Sequence, residues 1–264
     1  MGKFDGYLIC ADCDGTLTYE AGKISKENID AINHFQEEGG LFTLATGRLP
    51  GFSENFTDVI DINAPAVTLG GTLLYDLKKD EIVKNWLGSK YDAMDIIKHV
   101  AEHWSGVREC WANYNISESV SYSFERHKLG DGYLEELFEP LPDQIYKSLL
   151  FVPKEIIHNV QKDLTDTFGD KFRFDMSWNE GLEMQVKTSS KGLAVKYLKE
   201  HLGGIHTTVG VGDYENDISL MEETDIGYAV ANAPEHVKAH ADRITVANTD
   251  HAIAAIINDL EGEI

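Results

Sequence analysis

The sequence predicts an α/β protein in which a doubly wound parallel sheet is interrupted by an inserted α+β domain. Short apolar runs alternate with helical patterns in residues 1–83 and again in residues 188–264, as the strands and helices of a parallel sheet do. Between them, residues 84–187 contain runs of alternating apolar and polar positions, which are typical of antiparallel strands with one exposed face. We therefore expect a core domain formed by both ends of the chain and a second domain formed by its middle.

The core elements are predicted from apolar runs, helix caps and turn residues. Tyr7–Ala11 is a short apolar run that reads as a buried strand. Ser25 is suited to cap the first helix, and Gly39-Gly40 ends it. The other predicted core elements are strands at 41–45, 66–69, 206–211 and 227–231, helices at 191–201, 218–223 and 249–260, and a hairpin around Lys78-Lys79-Asp80.

The inserted domain is predicted to mix strands and helices. Its expected strands lie at 107–112, 119–124, 146–152, 172–178 and 182–187, and its expected helices lie at 92–104, near Tyr133 and at 154–168. The two chain crossings near Lys84 and Thr188 would act as a hinge, so we expect this domain to close during the reaction.

Charge and composition narrow the range of partners. The 264 residues include 45 acidic and 23 basic side chains, for a formal net charge of -22, and 42% are apolar, as in ordinary globular proteins. So negative a surface repels nucleic acid and anionic membranes, and neither is expected as a partner. Any anionic substrate must therefore meet local positive charge in its site.

The compartment and assembly are also expectations from sequence. The N-terminus lacks the apolar stretch of a signal peptide, and no apolar run approaches membrane-spanning length. An odd number of cysteines, three, argues against a disulfide framework. We expect a cytoplasmic protein that is a monomer or a small homo-oligomer.

Four polar clusters lie next to elements of the predicted core. The clusters are Asp12-Cys13-Asp14-Gly15-Thr16, Thr46-Gly47-Arg48, Lys191-Gly192 and Gly212-Asp213-Tyr214-Glu215-Asn216-Asp217. Three of them directly follow an apolar strand. In an open, Rossmann-like sheet, ligands bind just beyond the carboxyl ends of the strands, so we expect the clusters to converge on one crevice.

The residue types in these clusters indicate phosphoryl transfer. Asp12, Asp213 and Asp217 cannot all stay ionised in one pocket without a cation, and hard oxygen ligands of this kind suit Mg2+. Lys191, with Thr46 and the N–H of Gly47, can neutralise phosphate oxygens. Asp12 is then free to attack phosphorus, and Asp14 can protonate the leaving oxygen and later activate water.

Taken together, the four clusters resemble the motifs of the haloacid dehalogenase superfamily of phosphatases. Asp-x-Asp-Gly-Thr-Leu and Thr-Gly-Arg each follow a strand, and Lys-Gly and Gly-Asp-x-x-Asn-Asp come after the insert. The position and size of the insert are similar to the Cof-type branch, which carries a large type II α/β cap. The tail from Ala229 to Asn248 also reads like that branch.

The resemblance implies a role for each matching residue. Asp12 would be nucleophile and metal ligand, Asp14 would be the acid/base with its carbonyl on the metal, and Asn216 and Asp217 would support the metal waters and the lysine. The implied catalytic residues are Asp12, Asp14 and Lys191. The implied substrate-binding residues are Thr46, Gly47, Arg48, Lys191 and Asn216. The implied Mg2+ ligands are Asp12, Asp14, Asp213 and Asp217.

We therefore expect Mg2+-dependent hydrolysis of small phosphorylated metabolites, such as sugar phosphates, through an aspartyl-phosphate intermediate. Two alternatives stay open: a phosphotransferase or phosphomutase on the same scaffold, and a catalytically idle phosphometabolite-binding protein. Asp14 favours phosphoryl transfer, because the dehalogenases of the superfamily lack this second carboxylate. Gly70-Gly71 departs from the Asn-Gly usual in the branch, which bears on substrate placement.

Three other motifs have a simpler explanation. Cys10 and Cys13 form a C-x-x-C match, but we interpret them as buried apolar side chains rather than a redox pair. His99-Val100-Ala101-Glu102-His103 fits a zinc pattern, and we interpret it as a solvated helix face. Gly210-Val211-Gly212 lacks the third glycine of a dinucleotide fingerprint.

The inserted domain offers several candidates for substrate contact. These are Trp111, Tyr114, Tyr122, His127, Trp178, Asn179 and Glu183. Most of the aromatic residues are expected in the core. Glu183 and Asn179 are the preferred polar candidates, because their loop and strand lead back towards Lys191.

Overall fold

The computed structural model describes residues 2–20 and 22–264. The chain divides into two compact units, one formed by Met1–Lys84 with Ser190–Ile264 and the other by Asn85–Ser189. We call them the core unit and the cap unit. Their boundaries at 84/85 and 189/190 differ by one and two residues from the sequence-based boundaries at 83/84 and 187/188.

The strands of the described chain are numbered in order. They are β1 (Tyr7–Ala11), β2 (Leu41–Leu44), β3 (Ala66–Thr68), β4 (Leu73–Asp76), β5 (Glu81–Asn85), β6 (Gly88–Ser89), β7 (Glu109–Asn113), β8 (Ser119–Ser123), β9 (Gln144–Ile145), β10 (Lys147–Phe151), β11 (Phe172–Trp178), β12 (Gly181–Val186), β13 (Thr207–Gly212), β14 (Ile226–Ala229) and β15 (Arg243–Ile244).

The helices are numbered in the same way. They are α1 (Lys26–Glu37), α2 (Pro50–Thr57), α3 (Lys90–His103), α4 (Tyr133–Phe138), α5 (Ile157–Phe168), α6 (Lys191–Leu202), α7 (Ile218–Glu223), α8 (Glu235–Lys238) and α9 (Ala252–Glu261). Among the described residues, no helix is long and apolar enough to cross a membrane.

The core unit contains the predicted parallel sheet. Its strand order is β15-β14-β13-β1-β2, and each neighbouring pair runs parallel. A single parallel bridge between Ala45 and Val67 links β2 to β3, which then forms a three-stranded sheet with β4 and β5. The turn between β4 and β5 is the predicted hairpin around Lys78-Lys79-Asp80.

Both faces of β1 are buried, as expected for a doubly wound sheet. Ile9 and Ala11 belong to an apolar cluster that includes side chains of α1 and α9. Leu8 and Cys10 alternate with them along the strand, so they point to the opposite face, and they are equally buried. A strand covered on both sides needs apolar residues at every position, which explains the uninterrupted run Tyr7–Ala11.

The cap unit has the predicted α+β composition. Its five-stranded sheet has the order β11-β12-β10-β7-β8, and all neighbouring pairs are antiparallel. The alternating pattern predicted that one face of this sheet is exposed to water. However, polar residues of its central strands are buried, including Lys147, Glu183 and Gln185. Lys147 Nζ donates to Glu183 Oε1 at 2.7 Å, so a buried ion pair replaces solvent there.

The shortest elements were not predicted from the sequence. They are α2, α8, the edge strand β15 and the two-stranded sheet β6-β9. The last helix, α9, begins three residues later than expected, because a 3-10 turn over Asn248–Asp250 precedes it.

Candidate active site

Three of the four clusters are brought together by the order of the core strands. Strand β1 lies between β13 and β2, and all three run parallel. Asp12 directly follows β1, Asp213 directly follows β13, and Thr46 follows β2 after one residue. These side chains therefore lie at the same carboxyl edge of the sheet, where ligands bind in open α/β folds.

The fourth cluster reaches this edge from the start of α6. Ser190 caps the helix, and its hydroxyl accepts a hydrogen bond from the N–H of Leu193 at 3.1 Å. Lys191 is the first residue of the helix and is almost completely buried. Its Nζ donates to Asp12 Oδ1 at 2.6 Å and to Asp217 Oδ1 at 2.5 Å. Lys191 thus joins the first and the last motif.

Three carboxylates surround this ammonium group. One oxygen from each of Asp12, Asp213 and Asp217 lies within 4.8 Å of the others. Asp12 and Asp217 are buried, and Asp213 is partly buried. Three negative charges against the one positive charge of Lys191 leave two uncompensated, which matches the charge of a divalent cation.

The electrostatics of the cluster reflect this imbalance. Burial, together with the charges of Asp217 and Asp213, raises the pKa of Asp12 well above its ordinary value, although Lys191 opposes the shift. Burial and the charge of Asp217 raise the pKa of Asp213 to about 7. Burial works against the charge on Lys191, but the carboxylates of Asp12 and Asp217 outweigh it and raise the pKa of Lys191.

The hydrogen bonds of Asp217 distinguish it from the other two carboxylates. Its Oδ1 accepts from Lys191, and its Oδ2 accepts from the backbone N–H groups of Asp213 and Tyr214 at 3.0 and 3.2 Å. Both oxygens of Asp217 are thus engaged in fixing the loop and the lysine. Asp213 Oδ1 accepts from Thr16 Oγ1 at 2.9 Å. Within the described chain, Asp12 Oδ2 and Asp213 Oδ2 receive no hydrogen bond, and Asp12 and Asp213 each offer one carboxylate oxygen to the cluster.

This donor set fits Mg2+. All the candidate ligands are hard oxygen atoms, and Mg2+ is usually held by one or two carboxylates together with waters and substrate oxygens. Asp12 and Asp213 have the carboxylate oxygens to hold it, and the two surplus negative charges favour it.

A glycine allows the first motif to approach Asp213. Gly15 has a φ of +79°, and a Cβ at this position would lie 2.5 Å from Asp213 Oδ2. A side chain would therefore push the carboxylate away, and the left-handed backbone would also be strained. The Asp-Gly-Thr sequence thus has a steric reason in addition to its turn preference.

The Thr46-Gly47-Arg48 segment is fixed by its neighbours. The N–H of Thr46 donates to the carbonyl of Val67, and Thr46 Oγ1 accepts from the N–H of Arg48 at 3.2 Å. The guanidinium of Arg48 donates to Asp14, with Nε to Oδ2 at 2.8 Å and Nη2 to Oδ1 at 2.6 Å. The structure thus places Arg48 against the side chain of Asp14.

Asn232 and Asn248, which were given no role from sequence, contribute hydrogen bonds next to the site. Asn232 Nδ2 donates to the carbonyl of Gly15 at 2.9 Å, and Asn232 Oδ1 accepts from the N–H of Asn248 at 3.0 Å. Both asparagines lie in the tail segment that carried part of the resemblance, but no local pattern shows that they reach the first motif. Asn216, which was predicted to bind substrate, is buried in the 3-10 turn Glu215–Asp217.

The structure confirms that Cys10 and Cys13 are buried, whereas His99 of the zinc pattern lies mostly buried against Asp163 instead of on a fully solvated helix face. Cys10 and Cys13 are buried and free, and burial raises the pKa of both thiols. His99 pairs with Asp163 at 2.8 Å, and in the described chain only Asp12, Asp213 and Asp217 form a group able to hold a metal. A Cβ on Gly210 would lie 2.6 Å from the carbonyl oxygen of Leu220, so this glycine allows α7 to pack on β13.

The candidates in the cap unit fall into different environments. Tyr122 is buried, as expected, whereas Trp111 and Trp178 are 42% and 38% exposed. Of the two preferred polar candidates, Glu183 is buried in its ion pair with Lys147, and Asn179 lies exposed in the turn between β11 and β12.

Comparisons with known proteins show which family the chain belongs to. Residues 9–257 match the family model of the haloacid dehalogenase-like hydrolases. The phosphatase YwpJ of Bacillus subtilis is 26% identical over 290 residues, which cover 96% of this chain and 99% of that protein. A second B. subtilis protein, the 5-amino-6-(5-phospho-D-ribitylamino)uracil phosphatase YcsE, is 26% identical over 255 residues, with 95% and 94% of the two chains covered.

The fold is also found among solved structures. A haloacid dehalogenase-like hydrolase from B. subtilis superposes with a TM-score of 0.77 at 24% identity, covering 95% of this chain and 98% of that one. The sugar phosphatase BT4131, of subclass IIB, superposes with a TM-score of 0.77 at 20% identity, covering 97% and 99%. The chain therefore belongs to the haloacid dehalogenase-like hydrolases, which confirms the resemblance seen in its motifs, and it is a phosphatase of that family.

Proposed function

We propose that this phosphatase hydrolyses small phosphate monoesters with Mg2+ bound at Asp12 and Asp213, and that Asp12 is the nucleophile. The observation that carries the proposal is the contact of Asp12 Oδ1 with Lys191 at 2.6 Å, in a group where Asp12, Asp213 and Asp217 each offer a carboxylate oxygen within 4.8 Å of the others. Bound Mg2+ would supply positive charge for the phosphate oxygens. Lys191 and the hydroxyl of Thr46 would stabilise the remaining oxygens.

The proposed reaction has two balanced steps. In the first, a carboxylate oxygen of Asp12 bonds to phosphorus, the bond to the leaving oxygen breaks, and Asp14 gives that oxygen a proton. In the second, water attacks the phosphorus of the aspartyl phosphate and passes a proton to Asp14. The bond to Asp12 breaks, which releases inorganic phosphate and restores the carboxylate.

We propose phosphorylated sugars or polyols as the substrate class. Support comes from the relative YcsE, a phosphatase named for a substrate that carries a phosphorylated ribityl chain. The cap unit is the proposed specificity domain, because one face of its sheet carries polar side chains, including Asn113 and the buried ion pair of Lys147 with Glu183. Such groups suit hydroxyl-rich ligands.

Turnover of p-nitrophenyl phosphate tests the proposal. The wild-type protein is expected to require Mg2+, and Asp12→Asn is expected to lose several orders of magnitude in kcat, as when a covalent nucleophile is removed. The variant should fold normally, because burial already disfavours the charge on Asp12 and Lys191 keeps Asp217 as partner. Full activity of Asp12→Asn would contradict the mechanism, and tight metabolite binding without wild-type turnover would favour an idle binding protein.

A further inference from the structure

Asp14 occupies an unusual position for a residue that must deliver and receive a proton. Its side chain is 60% exposed, so burial does little to fix its rotamer. Within the described chain, the only hydrogen bonds to its carboxylate come from Arg48, one to each oxygen. A two-point contact of this kind fixes both the direction and the plane of the carboxylate.

Arg48 is itself held in place. Its guanidinium lies over the ring of Phe56, with 5.5 Å between the guanidinium carbon and the ring centroid. Its N–H donates to Thr46 Oγ1, and its carbonyl accepts from the N–H of Leu69 at 2.9 Å. The backbone on both sides of Arg48 is therefore tied to the core sheet, and its side chain is 30% exposed.

We infer that Arg48 is a positioning residue that aims Asp14 at the reacting oxygen, rather than a ligand of the substrate phosphate. This inference rests on the proposed function of Asp14. This role replaces the substrate-binding role expected for Arg48 from sequence. The reason is that Nε and Nη2 of the guanidinium already donate hydrogen bonds to the carboxylate of Asp14.

If Arg48 positions Asp14, one step of the two-step reaction should depend on Arg48 more than the other. In the second step Asp14 must accept a proton from the attacking water, and the two-point contact with Arg48 holds its carboxylate in one orientation for that transfer. With p-nitrophenyl phosphate the first step needs no proton from Asp14, because nitrophenolate leaves as a stable anion. Loss of Arg48 should therefore slow hydrolysis of the aspartyl phosphate and leave its formation nearly unchanged.

Stopped-flow kinetics of Arg48→Ala with Mg2+ and p-nitrophenyl phosphate test the inference. We expect kcat to fall by about 10- to 100-fold, part of the 10²–10⁴-fold range of acid–base catalysis. KM should not rise, and a burst of nitrophenolate near one equivalent per enzyme should precede the slow steady state. Arg48→Lys keeps the charge without the two-point contact, so its kcat should lie between those of Arg48→Ala and the wild type.

Arg243→Ala provides the matched control. Arg243 also bridges acidic side chains of the core unit, Asp259 and Glu263, but it lies on the edge strand β15. This variant should keep wild-type kcat and show no burst. The double variant Asp14→Ala/Arg48→Ala should be no slower than Asp14→Ala alone, since both changes act on one group.

The opposite pattern would overturn the inference. A rise in KM at constant kcat in Arg48→Ala and Arg48→Lys, without a burst, would mean that Arg48 binds the phosphate. Failure of the proposed function looks different, because Asp12→Asn would then remain active.

Discussion

At the scale of single residues, the site depends on one buried lysine. Lys191 holds Asp12 and Asp217 at hydrogen-bond distance and is the only basic side chain in contact with the carboxylate cluster in the described part of the chain. Charges this deeply buried are costly unless they are paired. Lys191 is therefore required for the fold of the metal-free site, in addition to the phosphate-binding role that we propose for it.

Replacing Lys191 should destabilise the protein strongly. Lys191→Met keeps the length of the side chain but leaves three carboxylates uncompensated, so the free energy of unfolding without metal should fall by about 3–5 kcal/mol. Lys199→Met is the control on the same helix, because its partner Asp225 is exposed and such pairs contribute about 1 kcal/mol or less. Urea unfolding of both variants measures the difference, and equal losses would contradict the role given to Lys191.

At the scale of elements, the turn after β3 has two glycines with different constraints. Gly70 has φ 70° and ψ 15°, a left-handed conformation that asparagine also adopts at low cost. Gly71 has φ +101°, and a Cβ there would lie 2.2 Å from the carbonyl carbon of Ser190, next to the start of α6. Gly71 is thus required by close packing against the segment that positions Lys191.

Asparagine should affect the stability of the protein differently at these two positions. Gly70→Asn restores the residue usual in the Cof-type branch, and we expect it to change stability by less than about 1 kcal/mol and to keep kcat for p-nitrophenyl phosphate. Gly71→Asn should cost about 2 kcal/mol or more through strain and the clash with Ser190. Thermal unfolding compares the pair, and a Gly71→Asn protein as stable as the wild type would refute the packing argument.

The elements also show how far sequence patterns reach. Strands β1 and β13 were predicted nearly to the residue, because strands buried on both faces are apolar throughout. The two-residue β15 and the four-residue α8 were missed, because so short a segment contains no full period of a pattern and is fixed by its tertiary contacts.

In the site, too, some features could be predicted from the sequence and others could not. Clusters at strand ends were expected to converge, since parallel strands share one carboxyl edge. The contacts of Asn232 with Gly15 and of Arg48 with Asp14 join residues 217 and 34 positions apart. Such pairings depend on how loops pack, which no local spacing encodes.

At the scale of the whole molecule, the net charge of -22 opposes the approach of an anionic substrate. Salt screens this repulsion, since the Debye length falls from about 30 Å at 0.01 M to about 8 Å at 0.15 M ionic strength. We therefore expect kcat/KM for p-nitrophenyl phosphate to rise with potassium chloride at fixed Mg2+. Sucrose at matched osmolarity is the control, and a fall in kcat/KM with salt would contradict the expectation.

The central claim is that Asp12 itself carries the phosphoryl group during turnover. Acid quench of the enzyme with substrate and Mg2+, followed by borohydride reduction and peptide mass spectrometry, locates an acyl phosphate by its conversion to a reduced side chain. We expect modification at Asp12 in the wild-type protein and in Arg48→Ala, with more of it in the variant, and none in Asp12→Asn. Modification at another residue, or turnover with Asp12 unmodified in both active proteins, would contradict it.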